Sequence, residues 1–133
     1  MALVSCIDLP EQKLIVYNVH LESRGSDALR CTQLAEILND FPRHASDVQV
    51  VVAGDFNADL RREPAAAAIG NSGLNNPFAH NSIRPTTVSS RFNGSRTIDW
   101  ILTKGPLIAS EPRLHDSIRA SDHYPLSLTL RSR

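Results

Sequence analysis

The segment Val48–Ala53 constrains this chain most. It reads Val-Gln-Val-Val-Val-Ala, a short β-branched run with one polar residue. Such a run suits a strand buried on both faces, inside a sheet rather than at its rim. It stops abruptly at Gly54-Asp55-Phe56-Asn57, where turn-forming residues take over. A sheet holding such a strand needs packed layers to cover it.

The flanking segments supply the other parts. Ala2–Leu9 reads as a strand, Pro10-Glu11-Gln12 as a turn and Lys13–Leu21 as a second strand, so the pair forms a hairpin. In the second strand Ile15, Tyr17, Val19 and Leu21 share an apolar face. Leu14, Val16, Asn18 and His20 share the mixed one, and His20 projects from its end. Leu34, Ile37, Leu38 and Phe41 recur at helical spacing before Pro42, with Ser26 or Asp27 as the cap. Glu63–Ile69 reads as a short helix ending at Gly70, and Asn71–Pro85 as a long loop. Thr86–Arg91 reads as a strand, Asn93-Gly94 as a turn, and Arg96–Thr103, Leu107–Arg113 and Tyr124–Leu130 as further strands. The total is about seven strands and two helices, an α+β arrangement with one mixed, mostly antiparallel sheet and helices packed on it. Tyr124–Leu130 is expected in the same sheet as the first four strands.

Size and charge narrow the rest. At 133 residues the chain is one domain, spanning 1–133. Lys plus Arg and Asp plus Glu both number 14, so bulk positive charge cannot hold nucleic acid, although a local phosphate site can. No apolar run reaches the roughly 20 residues of a bilayer span, and the N-terminus lacks a basic leader. Two cysteines, Cys6 and Cys31, form neither metal spacing nor disulfide framework. Their apolar settings predict buried thiols in a reducing, cytoplasmic compartment.

Polar clusters sit at the ends of the apolar strands, where a rigid scaffold aims side chains into open space. His20 with Glu22 offers a phosphate contact or an acid–base group, or simply a solvent-facing strand end. Asp55 and Asn57 offer an acceptor and an amide two residues apart, or a plain turn. Asp99 lies inside an otherwise apolar strand, so its carboxylate needs a partner. A histidine suits that need, because the carboxylate fixes the imidazole tautomer. Ser121-Asp122-His123 places an acid and a base side by side before a core strand. Arg24, Arg61 and Arg62 are candidates for phosphate or for a solvated surface. His44, His80 and His115 have no partner legible in the sequence.

Asn18-Val19-His20-Leu21, Gly54-Asp55-Phe56-Asn57, Thr97-Ile98-Asp99-Trp100-Ile101-Leu102 and Ser121-Asp122-His123-Tyr124-Pro125-Leu126, in that order, resemble the second half of an endonuclease/exonuclease/phosphatase domain. The resemblance runs from about Ala2 to Leu130, and the second and fourth motifs carry most of it. It implies half of a four-layer α/β/β/α sandwich. It also implies hydrolysis of a phosphoester by water with Mg²⁺ or Mn²⁺, on a phosphoester substrate such as nucleic acid. His20 would bind the scissile phosphate or act as an acid, and Arg24 would assist binding. Asp55 would orient and deprotonate water, and Asn57 would hold Asp55, the metal or the phosphate. Asp122, with Asp55 and Asn57, would contribute to the metal site. His123 would contact the phosphate, with Asp99 as its carboxylate partner. The resemblance leaves open whether Asp55 or the His123–Asp99 pair is the general base.

Family domains run to about twice this length, and their first half carries a metal-binding Glu that neither Glu11 nor Glu22 matches. The expectation is therefore an incomplete metal site and an apolar sheet face without its partner. That face would promote aggregation, a homodimer or docking of the other half. A non-catalytic half-domain that self-associates or binds a partner through it is the competing expectation.

Overall fold

The structure is a computed structural model that describes residues 1–10, 12–44, 48–62, 64–79, 84–89 and 94–132. Its order is β1 (Ala2–Leu9), β2 (Gln12–His20), α1 (Asp27–Asp40), a 3₁₀ turn (Phe41–Arg43), β3 (Gln49–Asp55), α2 (Ala65–Gly70), β4 (Asp99–Lys104), β5 (Leu107–Leu114) and β6 (Leu126–Ser132). β1 to β4 form one sheet in sequence order, and β5 and β6 form a two-stranded ribbon. β2 and β3 run parallel, joined by the α1 crossover, while the other neighbours are antiparallel. The α+β class and the mixed sheet stand as expected.

The β-branched run does become an interior strand. Gln49, Val50, Val51 and Val52 of β3 are all buried, so both faces are covered there. α1 begins where the sequence indicates, with Ser26 Oγ accepting the Leu29 N–H at 3.3 Å. Leu34 and Ile37 of α1, Phe41 and the α2 residues Ala65 and Ile69 cover one face of the sheet. They meet Ile15, Tyr17, Val19, Val50, Val52, Trp100 and Leu102. Each large apolar side chain buried there contributes about 1.5–3 kcal/mol.

The opposite face carries Leu3 and Ile7 of β1 and Leu14 and Val16 of β2. Val51 and Ala53 of β3 and Ile101 of β4 continue it. Its rim is open: Leu3 is 64% exposed and Ile7 43%. All of β1 is exposed, including Cys6, so the expectation of a buried thiol fails there. Among the described residues neither helix buries this edge strand.

Several elements differ from the sequence reading. The last strand pairs with β5 rather than joining the four-stranded sheet, although Leu126 and Leu128 still pack on the core. Among the described residues of Thr86–Arg91 only an isolated bridge forms, between Thr87 and His123. Arg96–Ile98 precede β4 rather than belonging to it, because their backbone groups go elsewhere. The Arg96 carbonyl accepts from Thr86 N–H, the Ile98 N–H goes to Thr86 Oγ1, and the Ile98 carbonyl accepts from Phe56 N–H. Asn93 and Glu63 fall outside the described residues, and α2 starts at Ala65. Among the described residues no helix is long and apolar enough to cross a membrane.

Candidate active site

Register brings the first three polar positions together. His20 lies opposite Asp55 across the β2–β3 ladder, and Asp55 lies opposite Asp99 across β3–β4. All three project from the face opposite the helices, at one end of the sheet. His20 Nε2 stands 3.7 Å from Asp55 Oδ2.

The Gly-Asp-Phe-Asn segment explains how Asp55 is aimed. Gly54 has φ +137°, and a Cβ there would stand 2.1 Å from the Val19 carbonyl oxygen. Only glycine fits a backbone approach that close. Phe56 is fully buried and anchors the turn in the core. Asn57 sits at φ +50°, in the left-handed region that Asn tolerates. Its backbone N–H donates to Asp55 Oδ1 at 2.8 Å, and its side-chain Nδ2–H donates to the Leu21 carbonyl at 3.1 Å. Asn57 thus braces Asp55 through its main chain, and its amide N–H is directed into the fold.

Asp99 has found its histidine. His123 Nδ1 lies 3.0 Å from both carboxylate oxygens. A carboxylate accepts, so Nδ1 carries the hydrogen and Nε2 is left uncommitted by this pair. Thr86, fully buried, donates its hydroxyl to Asp99 Oδ2 at 2.6 Å and accepts from the Asp99 N–H. The segment around Thr86 also holds His123 from the main chain: Tyr124 N–H donates to the Thr86 carbonyl, and Val88 N–H to that of Asp122. No local pattern marks Thr86 in the sequence. Its role depends on a contact thirteen residues away.

Burial pushes the Asp99 carboxyl above its ordinary range, and the Thr86 and His123 hydrogen bonds pull against that rise. For His123, burial acts to lower the pKa. The Asp99 hydrogen bond and charge, with the Asp55 and Asp122 carboxylates beyond, outweigh it and raise the imidazole. The two directions differ in meaning: Asp99 stabilises the imidazolium, whereas what the imidazole returns to the carboxylate does not offset the cost of its burial.

Asp55, Asp99 and His123 each offer a ligand atom, all within 4.8 Å of one another. The carboxylate oxygens suit a hard divalent cation such as Mg²⁺, which keeps waters as its remaining ligands. Asp122 is exposed, with its Oδ1 accepting from the Ser121 hydroxyl, and it is not part of that cluster. Arg24 is exposed, and its backbone N–H donates to Glu22 Oε1. His44 bonds Tyr17 and His115 bonds Ser127, both outside the cluster, while His80 is outside the described residues.

Several solved structures share this architecture. D. rerio TDP2, in a structure "complexed with single strand DNA product", matches with a TM-score of 0.77 and 19% identity, over 98% of this chain and 61% of that one. A functionally unknown conserved protein from Enterococcus faecalis matches at 0.79 and 21%, over 99% and 56%. An endonuclease/exonuclease/phosphatase from Beutenbergia cavernae matches at 0.73 and 20%, over 98% and 39%. At these identities the likeness is one of fold, and the chain spans at most about three-fifths of these relatives. No curated protein matches the chain in sequence. The sequence pattern of the Endonuclease/Exonuclease/phosphatase family matches residues 7–123, most of the chain, and the chain belongs to that family of phosphoesterases.

Proposed function

We propose that the chain carries a divalent-metal-dependent phosphodiesterase site that acts on nucleic acid. The observation that supports this most is the convergence of Asp55, Asp99 and His123 from three separate segments, with ligand atoms within 4.8 Å. In this reading Asp55 Oδ2 takes a proton from the attacking water, since its Oδ1 is engaged by the Asn57 N–H. The new P–O bond forms as the opposite ester bond breaks. His123 presents Nε2 to the phosphoryl oxygens, where its raised pKa favours the cationic form during charge build-up. Asp99 orients and charges that imidazole. His20, beside Asp55 and largely exposed, is placed to hydrogen-bond the phosphate or protonate the departing oxygen. Mg²⁺ or Mn²⁺, when bound at the carboxylates, would polarise the phosphoryl oxygen and offset its charge. Asp122 contributes at longer range, through its field on His123. The nucleic-acid assignment draws on the TDP2 structure with DNA product.

The test is hydrolysis of a chromogenic phosphodiester and nicking of plasmid DNA with Mg²⁺, set against EDTA and a His123→Ala variant. Activity lost in both controls supports the reading. Activity indifferent to either contradicts it.

A second reading has its own observation. The exposed apolar residues of β1 suit a half-domain that works by association, with itself or a partner, through the open sheet face.

A further inference from the structure

The end of the sheet away from the Asp55–Asp99–His123 cluster carries a second concave site. Across β3 and β4, Val50 lies opposite Lys104, while Asp55 lies opposite Asp99. The intervening stretch of extended strand sets the two ends about 17 Å apart. At the Lys104 end, on the helix-covered face, a groove of about 790 Å³ opens between α1, the 3₁₀ turn and α2.

The floor of the groove is apolar. Leu38, Phe41, Val48, Val50 and Ala68 line it. Phe41 and Val50 belong to the buried core, whereas Leu38, Val48 and Ala68 are half-buried against it. A concave apolar surface with a few fixed polar groups is the form that small-molecule sites take.

The charge at the groove has one sign. No carboxylate lines it, and its one ammonium group belongs to Lys104. Lys104 Nζ donates to the Ser72 carbonyl at 3.0 Å and lies 5.3 Å from the Phe41 ring centroid. Among the described residues it pairs with no carboxylate. An ammonium has three N–H donors, so two remain for a ligand. The carbonyl and the ring face hold the charge beside the apolar floor, where a free lysine would spread it over many rotamers.

His44 also lines the groove, but its Nε2 is committed. The Tyr17 hydroxyl donates to Asp40 Oδ2 at 2.8 Å. The 2.8 Å contact between that hydroxyl and His44 Nε2 therefore takes its hydrogen from the imidazole. Lys104 is left as the standing positive charge of the groove.

We propose that this groove binds a free apolar monocarboxylic acid, with its carboxylate on Lys104 and its hydrocarbon body along Phe41, Leu38 and Val48. The carboxylate gains a charge-assisted hydrogen bond, and the body displaces water from the half-buried floor. One fixed charge over an apolar floor selects a monoanion with an apolar tail. A polyanion finds no second standing cation there. The site is separate from the hydrolytic centre and does not depend on that reading.

The experiment is a methyl NMR titration of the full chain with decanoate, below the concentration at which it forms micelles, beside decan-1-ol. Decanoate should shift the methyl signals of Leu38, Val48, Val50 and Ala68. It should bind about tenfold more tightly than the alcohol, the share of a hydrogen bond to a charged group. Lys104→Met should remove that preference by weakening the acid alone, and Lys104→Arg should keep most of it. Ala68→Leu, which narrows the groove, should weaken both ligands alike. Leu3→Ser with Ile7→Ser removes exposed apolar residues of β1 and should leave the titration as it is.

Equal affinity for decanoate and decan-1-ol in the native chain would overturn the inference, as would a preference that survives in Lys104→Met. Methyl shifts confined to Leu3 and Ile7 would do so too, by placing the acid on the open sheet face. A short apolar peptide with a free C-terminal carboxylate that binds the groove more tightly than decanoate would overturn it in favour of a protein partner.

Discussion

His123 Nδ1 stands 3.0 Å from each carboxylate oxygen of Asp99, a pairing that joins β4 to the loop ahead of β6. Two elements of different sheets meet there, and the buried Thr86 hydroxyl fixes the carboxylate from behind. The pair has a measurable signature. Asp99 raises the His123 pKa above the ordinary value near 6.5. Asp99→Asn should bring it down, followed by NMR titration of the imidazole. An unchanged His123 titration in the variant would mean that Asp99 does not set it.

The same shift has a sign for stability. A histidine whose folded pKa is raised stabilises the fold fully below the unfolded pKa near 6.5, and the contribution is lost as pH rises through the folded pKa. Urea denaturation midpoints of the native chain should therefore fall across that window more than those of His123→Gln. Parallel curves for the two proteins would contradict the assignment.

Gly54 is the most demanding backbone position in the site. Gly54→Ala would drive a Cβ to 2.1 Å from the Val19 carbonyl at φ +137°. The expected loss is about 3 kcal/mol or more, read by denaturant unfolding. A change under about 1 kcal/mol would show that β2 and β3 can part there without cost.

Asp59 gives a prediction on the acid side. The Arg61 hydrogen bond holds its carboxyl below the usual carboxylate range against the opposing effect of burial. A depressed carboxyl contributes stability above the unfolded pKa near 3.9, and loses it as pH falls through the folded pKa. Arg61→Met should cost about 1 kcal/mol at neutral pH, with the deficit shrinking in acid. A deficit that is independent of pH would assign the loss instead to the Arg61 guanidinium's contact with the Trp100 ring, 5.5 Å from its centroid.

The open sheet face should be sticky. With Leu3 and Ile7 exposed on an edge strand, the chain is expected to bind an apolar dye and to sediment above its monomer mass. Leu3→Lys with Ile7→Lys should reduce both. A monodisperse monomer that binds no dye would remove the association reading.

Much of the fold was legible because its signals are local. The β-branched run of β3, the apolar face of β2 and the Ser26 cap of α1 each announce their element within a few residues. The pairing of Asp99 with a histidine was legible for a different reason: a carboxylate inside an apolar strand has to be satisfied. What stayed hidden depends on distant contacts. Thr86 and Arg96 read as the first residues of two ordinary strands until the fold sets one against Asp99 and the other against Asn57. The separate β5–β6 ribbon was hidden too, since alternation in Leu126, Leu128 and Leu130 says which face is buried and not which strand is the neighbour. Cys6 was misjudged because apolar neighbours in an edge strand are no guarantee of cover.

The most direct test of the account is the rate of Mg²⁺-dependent hydrolysis of a chromogenic phosphodiester by the native chain, beside His123→Ala and Asp55→Asn. The account predicts hydrolysis that EDTA abolishes and that each substitution lowers by about 10²–10⁴-fold. Equal rates in all three proteins, or no metal-dependent rate above that of the variants, would contradict it.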